Sequence, residues 1–223
     1  MGMLTRTHID AMLSPAALTL HHWLSPSFPT GAFAYSHGLE QVIAEGAVTD
    51  AATLEHWLAD ILRFGTGWQE SVLIALALAP NADIEQLDAC SAALQPCAER
   101  LLESREQGAA FARTVAAITG RSLPARALPI AVAEAAAPLD LPKADVVALF
   151  LQAFATNLVT IAIRHVPLGQ SDGHGVLARL LSLLPEIAER ASRASLDDLG
   201  NSCLSADMAA FLHETKEVRL FRT

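Results

Sequence analysis

Val146–Ile163 reads VVALFLQAFATNLVTIAI, 18 residues without a charge. A run of that length approaches the ~20 residues with which an α-helix crosses a hydrocarbon core. It also carries Gln152, Thr156, Asn157 and Thr160, polar groups that would need partners in lipid. Neighbouring helices of a folded bundle can satisfy such groups. The segment is therefore read as the central buried helix of an all-α protein, and no membrane span is expected.

The flanks punctuate for more helices. Asp140 and Pro142 are suited to open the central helix, and Pro167 and Gly169 to end it. Gly120, Pro124, Pro129, Pro138 and Pro142 suggest two loops around a short alanine-rich helix. Downstream, a helix over about 175–194, bent at Pro185, is followed by a loop at 197–203. A last helix runs from Ala206 to about Lys216, and Val218–Thr223 trails away. Upstream lies a long helix, Cys97–Ile118, whose charged face (Glu99, Arg100, Glu103, Arg105, Glu106 and Arg113) reads as solvated. Before it come a helix bearing Ile84, Leu87 and Leu94, and a short, continuously apolar helix over Val72–Ala79. Gly65 and Gly67 break the chain ahead of that helix. Leu54, Trp57, Leu58, Ile61 and Leu62 form a two-turn apolar stripe behind the capping residues Thr49 and Asp50. The first helix starts at Pro15.

The chain has 223 residues, 52% hydrophobic and only 5% aromatic. Alanine and leucine dominate, as suits helix. No Ser/Gly-rich linker divides the chain. The expected architecture is a single all-α domain over 1–223, a bundle of roughly eight to ten helices. Residues 1–15 are expected as a flexible arm and 216–223 as a tail that binds a partner.

Several functions lack a foothold. The net charge of −9 and the absence of a basic stretch argue against nucleic acid as a partner. Three cysteines without CxxC spacing suggest a reducing compartment and no closed zinc site. His21, His22 and His37 could meet in space, and Cys90 and Cys97 could share a helical face, but neither pattern is a ligand set. There is no GxxxxGK phosphate loop, no HExxH and no GxSxG elbow. Gly173-His174-Gly175 is a weak anion-site pattern. Asp197-Asp198-Leu-Gly-Asn201 resembles, at a distance, the aspartate-rich Mg²⁺ motif of helical prenyl-diphosphate enzymes, and a turn or cap explains it more simply.

Ser25–Glu40, SPSFPTGAFAYSHGLE, is denser in unusual residues. Pro26 and Pro29 forbid regular structure before Thr30, a capping type. Ala32, Tyr35, Leu39, Val42 and Ile43 share one helical face, with Gly46 as the stop. Gly38 then sits inside the helix, where glycine costs about 1 kcal/mol relative to alanine. Close approach of another backbone would justify it. Two further clusters stand out. One is Asn157 with Arg164-His165-Val-Pro-Leu-Gly-Gln170. The other is the C-terminal run from His213, in which Lys216, Arg219 and Arg222 alternate with Val218, Leu220 and Phe221. Such a tail either docks on its own bundle or orders on a partner.

LSPSFPTGAFAYSHGLE, NLVTIAIRHVPLGQ and the DDLGNS…HET…RLFR set resemble, in order, three signatures of the UreF family of urease accessory proteins. ESREQG at 103–108 resembles a further family segment. His37 stands where the family tolerates several polar types. The resemblance implies an all-α homodimeric chaperone without catalytic activity or resident cofactor. It implies that the protein bridges UreD (UreH in some organisms) to the GTPase UreG and supports GTP-dependent nickel insertion into apo-urease in the cytoplasm. On this reading Pro29, Gly31, Tyr35, Ser36, Gly38 and Glu40 form the surface facing UreG or a second copy. Arg219, Leu220, Phe221 and Arg222 are expected to contact a partner, preferably UreD, with Arg164 and Gln170 as braces. Two alternatives differ in class. One is a Mg²⁺-dependent helical prenyl-diphosphate enzyme using Asp197 and Asp198. The other is a helical regulator with a small-ligand pocket beside Val146–Ile163.

Overall fold

The computed structural model describes residues 14–223. The expected N-terminal arm therefore lies outside the described residues as far as position 13. The described chain forms eleven α-helices and no strand. They are α1 (Pro15–Trp23), α2 (Leu39–Ala44), α3 (Ala51–Phe64), α4 (Thr66–Ala77), α5 (Ile84–Ala93), α6 (Ala98–Thr119), α7 (Leu128–Ala136), α8 (Lys143–His165), α9 (Gln170–Leu181), α10 (Leu184–Ser192) and α11 (Leu204–His213). Single 3₁₀ turns occur at Ala32–Ala34, Ala137–Leu139 and Leu196–Asp198.

Local chemistry sets many boundaries. Asp50 accepts the Thr53 amide at 2.8 Å, and Thr53 Oγ1 accepts the Asp50 amide at 3.0 Å, a reciprocal cap on α3. Leu54, Trp57, Leu58, Ile61 and Leu62 are buried on that helix as the stripe requires. Gly65 alone separates α3 from α4. A Cβ at Gly67 would fall 2.7 Å from Leu62 Cα, so the turn closes only without a side chain there.

Two helices form the axis. α4 packs against α3, α5, α7, α8 and α10, while α8 packs against α4, α9 and α10 and touches α1, α2 and α3. α8 is the one described helix long and apolar enough to cross a membrane, and half of its most apolar stretch is buried inside the bundle. Three of its four uncharged polar residues in the 146–163 run are partnered. Thr156 and Thr160 donate to carbonyls one turn back at 2.7 and 2.8 Å, and Asn157 donates to Ala32 O at 3.3 Å. The centre is shared, however, and α4 is the more deeply enclosed of the two.

Some boundaries differ from the sequence reading. Asp140 does not cap α8; it takes a left-handed φ of 51°, and Pro142 precedes the first helical residue. The expected bent helix over 175–194 is two helices, with Pro185 in the first turn of α10, where its missing N–H has no cost. α11 stops at His213 rather than near Lys216.

Candidate functional site

The stretch from Ala32 does not continue as a helix to Glu45. After the turn at Ala32–Ala34 the chain is extended at Tyr35, and His37 and Gly38 take consecutive left-handed φ values of 60° and 78°. That pair ends one direction and starts another, so α2 begins only at Leu39. The close approach predicted at Gly38 is present. A Cβ there would lie 2.9 Å from the Ala210 amide nitrogen of α11.

This turn receives the C-terminal segment, which docks on its own bundle. Ser36 N donates to Thr223 O at 2.9 Å, and the Ser36 hydroxyl also donates to that oxygen. Arg222 N donates to Ala34 O at 2.8 Å. Glu40 accepts the Leu220 and Phe221 amides at 3.0 Å each. The fully buried His213 ring sits between two carboxylates, 2.8 Å from Glu99 and 3.2 Å from Glu40. Arg219 pairs with Glu99, and Arg222 pairs with Glu106 at 2.6 Å while donating to Tyr35 OH at 2.9 Å. Tyr35 in turn donates to Glu106. Thr223 Oγ1 donates to Glu103 at 2.7 Å. The Phe221 ring is buried, edge-on to His165 at 4.7 Å.

The electrostatics follow from this seam. Burial would push the Glu40 carboxyl up, but the amides of Leu220 and Phe221 and the His213 ring hold it below its ordinary value. Burial opposes ionisation of Glu103 as well, yet the adjacent Arg100 guanidinium wins and brings it down to about 2. Burial, reinforced by Glu106, pushes the Tyr35 hydroxyl up to about 12.

The sequence-predicted residues divide into three groups. Tyr35, Ser36, Gly38, Glu40, Arg219, Phe221 and Arg222 meet in the seam. Pro29 and Gly31 are exposed and, with Tyr35, Glu106, Arg113 and Arg222, line a shallow groove of about 450 Å³ beside it. Leu220 points outward, 68% exposed. Arg164 stands apart from the seam, its guanidinium 5.7 Å from the Phe33 ring, and Gln170 is exposed at the start of α9.

The seam's acidic wall corrects one expectation. Arg100 and Glu103 on α6 are buried rather than solvated: Glu103 lies under the tail, accepting from Thr223, and Arg100 lines an internal pocket with His37 and Glu70. The spacing of Glu99, Glu103 and Glu106 (i, i+4, i+7) marks one helical face and was the signal available. A second feature missed in the sequence is the outward row Leu204, Met208 and Phe211 on α11, at the same spacing.

Other candidates disperse. No group of three or more His, Cys, Asp or Glu side chains is arranged to hold a metal among the described residues. His21 and His22 are exposed on α1, whereas His37 is buried. Cys90 lies in α5 and Cys97 caps α6, so they share no face. Gly173-His174-Gly175 lies within α9 rather than at its start. Asp198 accepts the Ser195 amide and hydroxyl at 2.8 and 2.9 Å, the turn role expected of it.

The model of the UreF family matches residues 48–181. A urease accessory protein UreF from Cereibacter sphaeroides (strain ATCC 17029) is 57% identical over 95% of this chain and all of its own length. Those of Paracoccus denitrificans and Roseobacter denitrificans are 48% and 45% identical, over 93% and 95% of this chain and 96% of their own lengths. The chain belongs to the UreF family of urease accessory proteins. The family model covers α3 to α9, the body of the bundle. Ser25–Glu40 and the tail lie beyond those matched residues. Those three UreF proteins nevertheless run nearly the full length of the chain.

Proposed function

We propose that this chain is a non-catalytic adaptor of urease maturation that bridges UreD and the GTPase UreG and supports GTP-dependent nickel insertion into apo-urease. It works as a cytoplasmic homodimer without a resident cofactor. The observation that carries this reading is the seam. Two of the stretches that resemble UreF signatures, around Ser36 and at the C-terminus, are hydrogen-bonded into one face, and the third reaches it through His165 against Phe221 and Asn157 on Ala32. Pro29 and Gly31 line the groove on one side. Leu220 and Val218, 68% and 75% exposed, stand out from the tail on the other. Arg219, Arg222 and the exposed Phe211 are of the residue types enriched at binding interfaces. UreG or the second copy is assigned to the groove side and UreD to the tail side.

Co-expression with tagged UreD and UreG tests the proposal. The full chain co-purifies with both, and a chain ending at Thr215 loses UreD. Because that truncation also opens the seam, Leu220→Asp is the cleaner variant: it leaves every seam hydrogen bond in place and still weakens UreD recovery. Undiminished recovery with Leu220→Asp overturns the tail assignment. Failure of the full chain to recruit either protein overturns the adaptor reading.

A further inference from the structure

Behind His37 lies an internal pocket of about 90 Å³, bordered by α4, α6 and α8. One water takes up ~30 Å³ in the liquid, so the space admits a molecule of a few heavy atoms. Its titratable lining is His37, Glu70 of α4, and Arg100 and Glu103 of α6, each at most 7% exposed. Phe33, Phe150 and Phe154 supply an apolar wall, and α8 brings no charged group. Pro26 and Phe33 belong to the same lining and are exposed, which gives an entrance. The pocket lies beside Val146–Ile163, where the small-ligand alternative puts one.

Two buried atoms of this lining have no hydrogen-bond partner, Arg100 Nη1 and His37 Nδ1. Arg100 forms an ion pair with Glu103, but its side chain makes no hydrogen bond among the described residues. A guanidinium carries several N–H donors and accepts nothing, so enclosing it with none engaged is costly. Glu103 is already occupied, accepting from Gln107 at 3.1 Å and from Thr223 Oγ1 at 2.7 Å. His37 Nδ1 lies 3.8 Å from Glu103, beyond hydrogen-bond reach. Buried polar groups are almost always hydrogen-bonded, and two idle ones on one cavity point to an occupant.

Charge selects the class of that occupant. Glu103 already balances Arg100. Burial pushes the Glu70 carboxyl up to about 7, and burial together with Arg100 pushes the His37 ring down to about 4. In mildly acidic solution the pocket is therefore close to neutral, with a guanidinium in need of an acceptor and an uncharged ring able to accept. A cation would meet the idle guanidinium. An anion would be an uncompensated charge beside Glu103. An uncharged group that carries an acceptor and a donor side by side answers both idle atoms. Water could do so too, but the phenylalanine rings offer it no hydrogen bond and favour an apolar substituent.

We propose that this pocket binds a small uncharged primary amide with a short apolar substituent. The carbonyl oxygen accepts from Arg100, the amide N–H donates to His37 Nδ1, and the substituent rests against the phenylalanine wall.

Acetamide, acetate and acetamidinium share one shape and differ in charge. Saturation-transfer NMR on the methyl group of each, with the full chain near pH ~6, where Glu70 and His37 are both mostly neutral, compares them directly. Acetamide should bind about tenfold more tightly than either ion. Arg100→Met should weaken acetamide about tenfold, the loss expected for one hydrogen bond to a charged group. That change also strips Glu103 of its ion-pair partner. Ala153→Leu is therefore the second variant: it fills the pocket from α8, alters no polar group, and should abolish the acetamide signal. Should neither variant fold, the order of the three ligands on the unaltered chain still discriminates. Binding of acetate or acetamidinium as tight as that of acetamide overturns the proposal. So does an acetamide affinity indifferent to Ala153→Leu, or no binding by any of the three, which leaves water as the occupant.

Discussion

α4 and α11 are apolar helices of similar length with opposite placements. α4 buries nearly every residue, polar Gln69, Glu70 and Ser71 included. α11 turns its small residues Ala206, Ala209 and Ala210 inward and its large ones outward, with Leu204, Met208 and Phe211 72%, 53% and 53% exposed. An ordinary surface helix does the reverse. The inward alanines let α11 approach Gly38 closely enough to frame the seam. The outward side chains do nothing for this chain's own core, and a contiguous exposed apolar row usually marks an interaction surface. One helix therefore secures the bundle, and the other presents something to be covered.

The largest test of that contrast is in α4. Leu73 is fully buried where α3, α7, α8 and α10 close on the helix. Leu73→Ala removes methyl groups and leaves a cavity, and it should lower the unfolding free energy by about 3 kcal/mol. Denaturant unfolding followed by circular dichroism reads this directly. A loss below about 1 kcal/mol would mean that α4 is not the fixed axis described here.

Glu70 and His37 give a comparable effect, seen through pH. Glu70 is raised to about 7, so folding favours its neutral form. Its contribution is complete below the ordinary glutamate value of 4.5 and is lost as pH rises through about 7. His37 is lowered to about 4, so folding favours its neutral form as well. Its contribution is complete above the ordinary histidine value of 6.5 and is lost as pH falls through about 4. The two slopes oppose each other over the same window and largely cancel. Glu70→Gln exposes the histidine term, and stability should then rise with pH across that window by up to about 3 kcal/mol. His37→Asn exposes the glutamate term and should reverse the slope. Parallel pH profiles for the two variants would show that the groups do not share one buried environment.

Gly38 lets α11 close on the start of α2. Alanine there meets both a left-handed φ, at a cost of about 1 kcal/mol, and the backbone of Ala210, 2.9 Å from the new Cβ. Gly38→Ala should destabilise by about 2 kcal/mol. Far-ultraviolet circular dichroism should stay nearly unchanged, because Gly38 precedes α2 rather than lying inside it. The specific signature is faster hydrogen exchange at the Leu220 and Phe221 amides, which rest on Glu40. Unchanged exchange at those amides would separate Gly38 from the seam.

Legibility from sequence followed the same division. The α3 stripe, the buried run of α4 and the uncharged run of α8 were readable because burial imposes a period on apolar residues. The cap at Asp50 and the break at Gly65 were readable because their chemistry is local. The seam was only half readable. Gly38 announced a close approach but not its partner, since Ala210 lies far along the chain. Arg100 and Glu103 looked solvated because a charged helical face carries no mark of what will cover it. The helix expected from Ala32 stops after one 3₁₀ turn at Ala34, and the chain changes direction at His37, a non-glycine residue in a left-handed conformation. A periodicity argument has no means to anticipate that conformation when the Thr223 and Glu103 contacts that hold the turn come from elsewhere.

The smallest expected change in stability is the most discriminating. Phe211→Ser replaces a side chain that is 53% exposed and absent from the core. Unfolding free energy should move by no more than about 0.5 kcal/mol, as for surface positions generally. If the α11 row is the face that UreD covers, the same change should sharply reduce UreD recovery, because truncating a central aromatic anchor of an interface costs about 2 kcal/mol or more in binding. Unfolding and co-purification measured on one preparation give the ratio of the two effects. For Leu73→Ala that ratio should lie on the side of stability, and for Phe211→Ser on the side of recruitment. A Phe211→Ser chain that unfolds as readily as Leu73→Ala would make α11 another core helix. One that recruits UreD normally would leave its exposed row without a purpose in the adaptor reading.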